Sequence, residues 1–166
     1  MSDMAELELT RSCDDRRLYE IAGVGSLRFE GFFARRATAE AGADAWSFER
    51  RGVFRTTIEA SDAAGALVGS FAPRTLGRGG AIRWGEHDLE LRPASMWTER
   101  YALADDEREL AVLDAKSWGK RPVRITIDEI DLVAPGLVLF AAFAVRQLAE
   151  DASSTAAGAS TAATTG

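Results

Sequence analysis

Residues Leu132–Val145 read LVAPGLVLFAAFAV, and the fold turns on them. A helix that is apolar on every side must be buried on every side. The chain ahead of it reads as short β-strands. Strands wrapped round the helix as a barrel would bury it. Pro135 suits the first turn of such a helix, where its missing N–H costs nothing. Glu129 and Asp131 are expected near its positive end, and Arg146 near its negative end. A membrane span is the competing reading. Fourteen residues of helix reach about 21 Å, whereas a bilayer core is about 30 Å thick and asks for about 20 apolar residues. Asp128, Glu129 and Asp131 precede the run and Arg146 follows it. The balance favours a core helix.

Strand signals recur through the chain. They fall at 18–22, 26–33, 45–50, 53–60, 66–72, 81–84, 88–92, 98–104, 109–114 and 123–128, with a further candidate at 7–10. Ile125 and Ile127 alternate with Arg124, Thr126 and Asp128, as a half-buried strand does. Gly-rich or acidic breaks separate the strands, at 23–25, 62–65, 77–80, 105–108 and 119–122. One pattern repeats. Phe54, Ile58, Asp62 and Leu67 return 43 residues later as Trp97, Tyr101, Asp105 and Leu110. Both copies read as strand, acidic turn, strand. Trp46, Phe48, Phe54, Trp84, Trp97 and Leu110 read as barrel core, because a closed interior has to be filled.

The 166 residues suit one domain. Residues 1–16 read as a partly ordered N-terminal segment, 17–150 as the barrel with its helix at about 135–150, and 151–166 as a disordered Ala/Ser/Thr tail. A net charge of −6 and a pI near 4.9 argue against nucleic-acid partners. Cys13 stands alone, so no disulfide forms within the chain, and a reducing, cytoplasmic setting is expected. The first residues lack the basic and apolar regions of a signal peptide.

Ten or so strands running into one apolar helix is an uncommon order. It resembles the tubby C-terminal-like superfamily, which includes the LURP-one-related proteins and the phospholipid scramblases. The resemblance rests on the helix APGLVLFAAFAVRQLA, the hairpins FRTTIEASDAAGALVGSF and WTERYALADDERELAVLD, and the lead-in KRPVRITIDEIDLVAP. It implies a mainly β fold, a closed antiparallel β-barrel of about twelve strands around a buried apolar C-terminal α-helix. What it implies about function is limited: tubby domains bind phosphoinositide head groups and scramblases sit at membranes, while LURP-one proteins have no settled biochemistry. It does not transfer a site, because the chain shows neither a long basic surface nor a calcium loop of the EF-hand pattern.

Candidate chemistry is sparse. His87 sits in Trp84-Gly85-Glu86-His87-Asp88, where it reads as a hairpin-turn residue; a hydrolase site around it is the third functional reading. Asp14 and Asp15 beside Cys13 discourage a thiolate, although Arg16 and Arg17 favour one. One His and one Cys do not make the usual zinc ligand set. Gly23-Val24-Gly25 has no helix after it, and no Gly-Lys-Ser/Thr occurs, so phosphate loops and bound cofactors are not expected. Catalytic and metal-binding residues are expected to be none. The strongest site candidate is KSWGKRPVR, with Lys116, Trp118, Lys120, Arg121 and Arg124. Cations beside an exposed Trp suit an anionic lipid surface. Arg74, Arg78 and Arg83 would join them if the two turns share an end of the barrel. The leading expectation is a non-enzymatic binding or scaffold domain, peripheral at an anionic membrane surface or held by a protein partner. A protein anchored in a membrane by its C-terminal helix is the alternative.

Overall fold

The computed structural model describes residues 4–31, 34–53, 55–76, 78–106, 108–115 and 123–162. Twelve antiparallel strands close into a barrel. They are β1 Ala5–Arg11, β2 Leu18–Ile21, β3 Gly25–Glu30, β4 Arg36–Ala41, β5 Asp44–Arg51, β6 Thr57–Asp62, β7 Leu67–Pro73, β8 Gly80–Trp84, β9 His87–Pro93, β10 Arg100–Asp105, β11 Arg108–Asp114 and β12 Val123–Ile127. Each strand pairs with the next, and β1 pairs with β12 to close the ring, Leu9 opposite Val123 and Ala5 opposite Ile127. A single 3₁₀ turn, Ile130–Leu132, leads into one helix, α1, Pro135–Ala162.

A ring of twelve strands is too wide for its own side chains to fill, and a helix about 10 Å across fills it. Val138 to Val145 are 3 % exposed or less on every face of α1, in line with the apolar run. The inward positions of the strands meet them: Leu27 and Phe29 from β3, Phe48 from β5, Ile58 from β6, Phe71 from β7, Leu91 from β9, and Ile125 and Ile127 from β12. Phe48 packs edge-on to Phe140, and Phe29 stacks on Phe143. The helix lies nearest β3, β4 and β5. The inward residues of β4 are Ala37 and Ala39, small enough to let the helix backbone come close. At the entry to the barrel Gly136 is pressed between two indoles. A Cβ there would fall 2.6 Å from Trp84 and 2.7 Å from Trp46.

Several expectations shift. β1 spans Ala5–Arg11 and closes the barrel, so the N-terminal segment is part of the core fold. β4 is a strand whose Ala-rich sequence, RATAEA, gives little β signal. α1 continues to Ala162, past the expected end at about 150 and through the first twelve residues of the expected disordered tail. Arg146 lies in the middle of α1, so it does not serve the helix's negative end. The repeated hairpins are real ones, β6–β7 and β10–β11. Each carries a register shift, between Ala60 and Ser61 and between Leu103 and Ala104, at the same 43-residue offset.

Candidate functional site: the loop end of the barrel

The strand order sends every second connection to the same end. At one end lie short turns, such as Gly42-Ala43 and Gly85-Glu86, where glycines at φ +60° let two strands reverse tightly. The link from β12 to α1 also starts there. At the other end lie longer connections, of which residues 12–17, 31, 34–35, 52–53, 55–56, 74–76, 78–79, 94–99 and 115 are described. α1 enters at the turn end beside Trp46 and Trp84 and leaves at the loop end. There Gln147 donates to the Ala34 carbonyl at 3.1 Å, and Arg50 forks onto Asp151 with both contacts at 2.9 Å.

The two ends differ in charge. The turn end carries Asp44, Glu86, Asp88, Asp105, Asp106, Asp128, Glu129 and Asp131 among the described residues. Arg108, at the start of β11, is paired there with Glu129. Along the wall, arginines are neutralised by neighbours: Arg28 by Asp15, Arg36 by Glu49, Arg51 by Glu49 and Glu59, Arg83 by Asp88, Arg92 by Glu90 and Arg124 by Glu8. Six described arginines form no ion pair with another described residue: Arg11, Arg16, Arg17, Arg35, Arg55 and Arg100. All six lie in the loops at the loop end or at strand termini abutting it.

The same rim carries the most exposed apolar side chains. Trp97 is 94 % exposed, Met96 and Leu76 are 89 % exposed, and Val53 is 86 % exposed. They sit on three successive loops, β5–β6, β7–β8 and β9–β10. Trp97, expected in the core, is instead at a loop tip. The Ser95 hydroxyl accepts from the backbone N–H groups of Trp97 and Thr98, which turns the chain before β10 begins. Arg78 braces that loop from the next one. It donates to the Ser95 carbonyl at 3.0 Å and the Thr98 carbonyl at 2.8 Å, and pairs with Glu99 at 3.0 Å. Its guanidinium also lies over the Tyr101 ring. Tyr101 donates to Glu99 at 2.8 Å, and burial, reinforced by that carboxylate, pushes its hydroxyl up to about 12.

Of the expected site residues, Lys116, Trp118, Lys120 and Arg121 lie outside the described residues. Arg124 is on the outer wall of β12, 3.2 Å from Glu8. Arg74 and Arg78 do share the loop end, but Arg74 is paired with Glu90 and Arg78 holds the β9–β10 loop. Arg83 points from the wall toward Asp88, near the turn end. His87 is exposed at the first position of β9, opposite Trp84. Phe48 is core as expected, Trp46, Trp84 and Leu110 are half-buried, and Phe54 is outside the described residues. Sequence reasoning missed Arg16, Arg17, Arg35, Arg55, Val53, Leu76 and Met96 as a set. They are far apart in sequence, and only the alternation of strand direction gathers them.

A cleft opens where α1 emerges beside the β9–β10 loop, lined by Met96, Trp97, Tyr101, Leu148, Asp151 and Thr155. Its carboxylates are engaged, Glu99 by Arg78 and Tyr101, and Asp151 by Arg50. Among the described residues no group of three or more metal-ligating side chains comes together, and no helix is long and apolar enough to cross a membrane. No family model, no curated protein and no solved structure matches the chain.

Proposed function

We propose that this barrel is a non-enzymatic binding module that docks its loop end on an anionic membrane surface. The observation that carries the reading is the placement of Trp97, Met96, Leu76 and Val53, the most exposed apolar side chains described, on one rim with Arg16, Arg17, Arg35 and Arg55. Apolar side chains gathered on projecting loops mark a surface that meets something apolar. Cations beside them select a negatively charged one, and an indole sits well at head-group depth. The net charge of −6 works against approach as a whole, but it is unevenly placed. Because the negative charge gathers at the turn end, an anionic surface attracts one end and repels the other, which orients the barrel. With α1 filling the interior, the outer surface is where a ligand is met.

Kinship with the tubby C-terminal-like proteins is part of the same proposal. It rests on the order of elements and the lead-in to the helix. A shared architecture by itself does not carry a shared ligand.

Flotation with vesicles tests the reading, using phosphatidylcholine alone against phosphatidylcholine with one-third phosphatidylserine. Binding to the anionic vesicles only, weakened when salt rises from about 0.02 M to about 0.15 M, and reduced by Arg16→Glu with Arg17→Glu, is the expected result. Equal binding to neutral vesicles, or binding to neither, overturns it.

A further inference from the structure

The geometry points to Arg78 as a positioning residue: it holds Met96 and Trp97 in the arrangement that meets the surface, by stapling the β9–β10 loop on both sides of that pair. The inference rests on the docking proposed above and names the side chain that readies its most exposed aromatic.

An exposed loop tip has no packing of its own to fix it, and Met96 and Trp97 project almost wholly into solvent. What orders them lies beside them. The Ser95 carbonyl, just before the pair, accepts from Arg78 Nη1 at 3.0 Å, and the Thr98 carbonyl, just after it, accepts from Nη2 at 2.8 Å. One planar guanidinium therefore spans the base of the tip. Nη2 also pairs with Glu99 at 3.0 Å, and the group lies 5.3 Å from the centroid of the Tyr101 ring. A rigid fork of donors suits acceptors held apart in this way, and a lysine ammonium does not reproduce it.

Both sides of the staple are rooted in the barrel. Next to Arg78, Gly79 has φ +87°, and a Cβ there would fall 2.1 Å from the Leu91 carbonyl oxygen, so the β7–β8 backbone lies directly on β9. The Arg74 backbone N–H donates to the Gly79 carbonyl at 3.0 Å, and Gly80 pairs with Leu91 as β8 begins. On the other side Tyr101 is buried and donates to Glu99. Leu76 rides on the connection that carries Arg78, so the staple ties Leu76 to Met96 and Trp97 as one platform. The charge of Arg78 is engaged by Glu99, so its part is placement and not attraction. A tip already in place does not lose side-chain freedom on contact, and that ordering no longer weakens binding.

The test uses the full chain and vesicles of phosphatidylcholine with one-third phosphatidylserine. Arg78→Lys keeps the positive charge, so attraction alone predicts binding at least as tight as the parent's. The staple predicts binding weaker by about fivefold or more for both Arg78→Lys and Arg78→Met, from two side chains ordered only on contact. Both variants should keep the barrel's circular dichroism, because the Arg78 side chain lies at the rim and is 32 % exposed. Loop order is read without vesicles, from spin labels at Thr75→Cys and Met96→Cys in a Cys13→Ser background. The distance between them should be narrowly distributed with Arg78 in place and broad in Arg78→Lys. The inference needs weaker binding and a broader distance together. If Arg78→Lys lowers the unfolding temperature alone, or moves neither or only one of the two readouts, the inference is overturned while the docking of the loops stands. If the parent does not bind vesicles, the docking falls and the inference with it.

Discussion

The guanidinium of Arg146 lies 3.6 Å from the centroid of the Phe29 ring. It is the one charge that α1 carries between Gly136 and Ala149. Tyr19 is a second ring beside it at 5.1 Å, and Glu150 is 3.2 Å away on the next turn. Burial lowers the pKa of the guanidinium, while Glu150 and the Tyr19 hydroxyl work to keep it charged. The site sits near the end of the buried stretch of α1, three residues before Ala149.

Charge and packing at Arg146 can be separated. Methionine keeps most of the volume, and the carboxylate it leaves without a partner, Glu150, is 30 % exposed and can turn to water. Arg146→Met should stay within about 1 kcal/mol of the parent in urea unfolding. Arg146→Ala should lose about 3 kcal/mol, since it also opens a cavity beside Phe29 and Tyr19. Equal losses in the two variants would show that the charge itself holds the helix.

The helix is expected to be structural from its first turn. Gly136→Val would press a branched side chain onto Trp46 and Trp84, and overpacking of this kind costs about 1–3 kcal/mol. Phe140→Asp would place an unpaired carboxylate at a fully buried position and should leave no folded barrel by circular dichroism. A soluble, folded Phe140→Asp protein would mean that α1 need not sit in the barrel, which would favour the membrane-anchor reading.

Tyr101 gives an alkaline signature. Its hydroxyl ionises near 12 in the folded protein, against 10.0 for an ordinary tyrosine. Between those values the unfolded chain loses its proton first. Stability is therefore full below pH 10 and falls as pH rises toward 12, by up to about 1.4 kcal/mol per pH unit. Urea midpoints measured across that window should show the slope in the parent and a flatter one in Tyr101→Phe. The same slope in both would assign it to other groups.

The loop-tip side chains should be dispensable for folding. Trp97→Ser and Leu76→Ser alter residues with little contact to the barrel, so stability should change by no more than about 0.5 kcal/mol each. Their combination should weaken binding to anionic vesicles. A large loss of stability instead would mean that the tips are packing groups.

The barrel and its helix were legible because their signals are local. Alternation along β12 and the unbroken apolar run of α1 each speak for a single element. β4 was hidden because Ala37 and Ala39 answer to the approach of α1, a contact made with residues about a hundred positions later. Trp97 misled because an aromatic at strand spacing reads as core, whereas the Ser95 hydroxyl turns the chain just before it. The far end of α1 looks disordered by composition, since Ala, Ser, Thr and Gly bury little. The rim proposed as the site was not legible. KSWGKRPVR shows a cation-and-indole pattern in one stretch, while Arg16, Arg35, Val53, Leu76 and Trp97 become one rim only after twelve strands alternate in direction.

The most direct measurement compares the two ends of the barrel at a membrane. With Cys13→Ser as background, a spin label is placed at Leu76→Cys on the loop end or at Glu86→Cys on the turn end. Accessibility to a lipid-soluble and a water-soluble relaxant is then read on vesicles with one-third phosphatidylserine. The account predicts that the Leu76→Cys label gains access to the lipid-soluble relaxant and loses access to the water-soluble one, while the Glu86→Cys label stays in water. A label at Glu86→Cys that moves into lipid, or two labels that both remain in water while the protein is vesicle-bound, would contradict it.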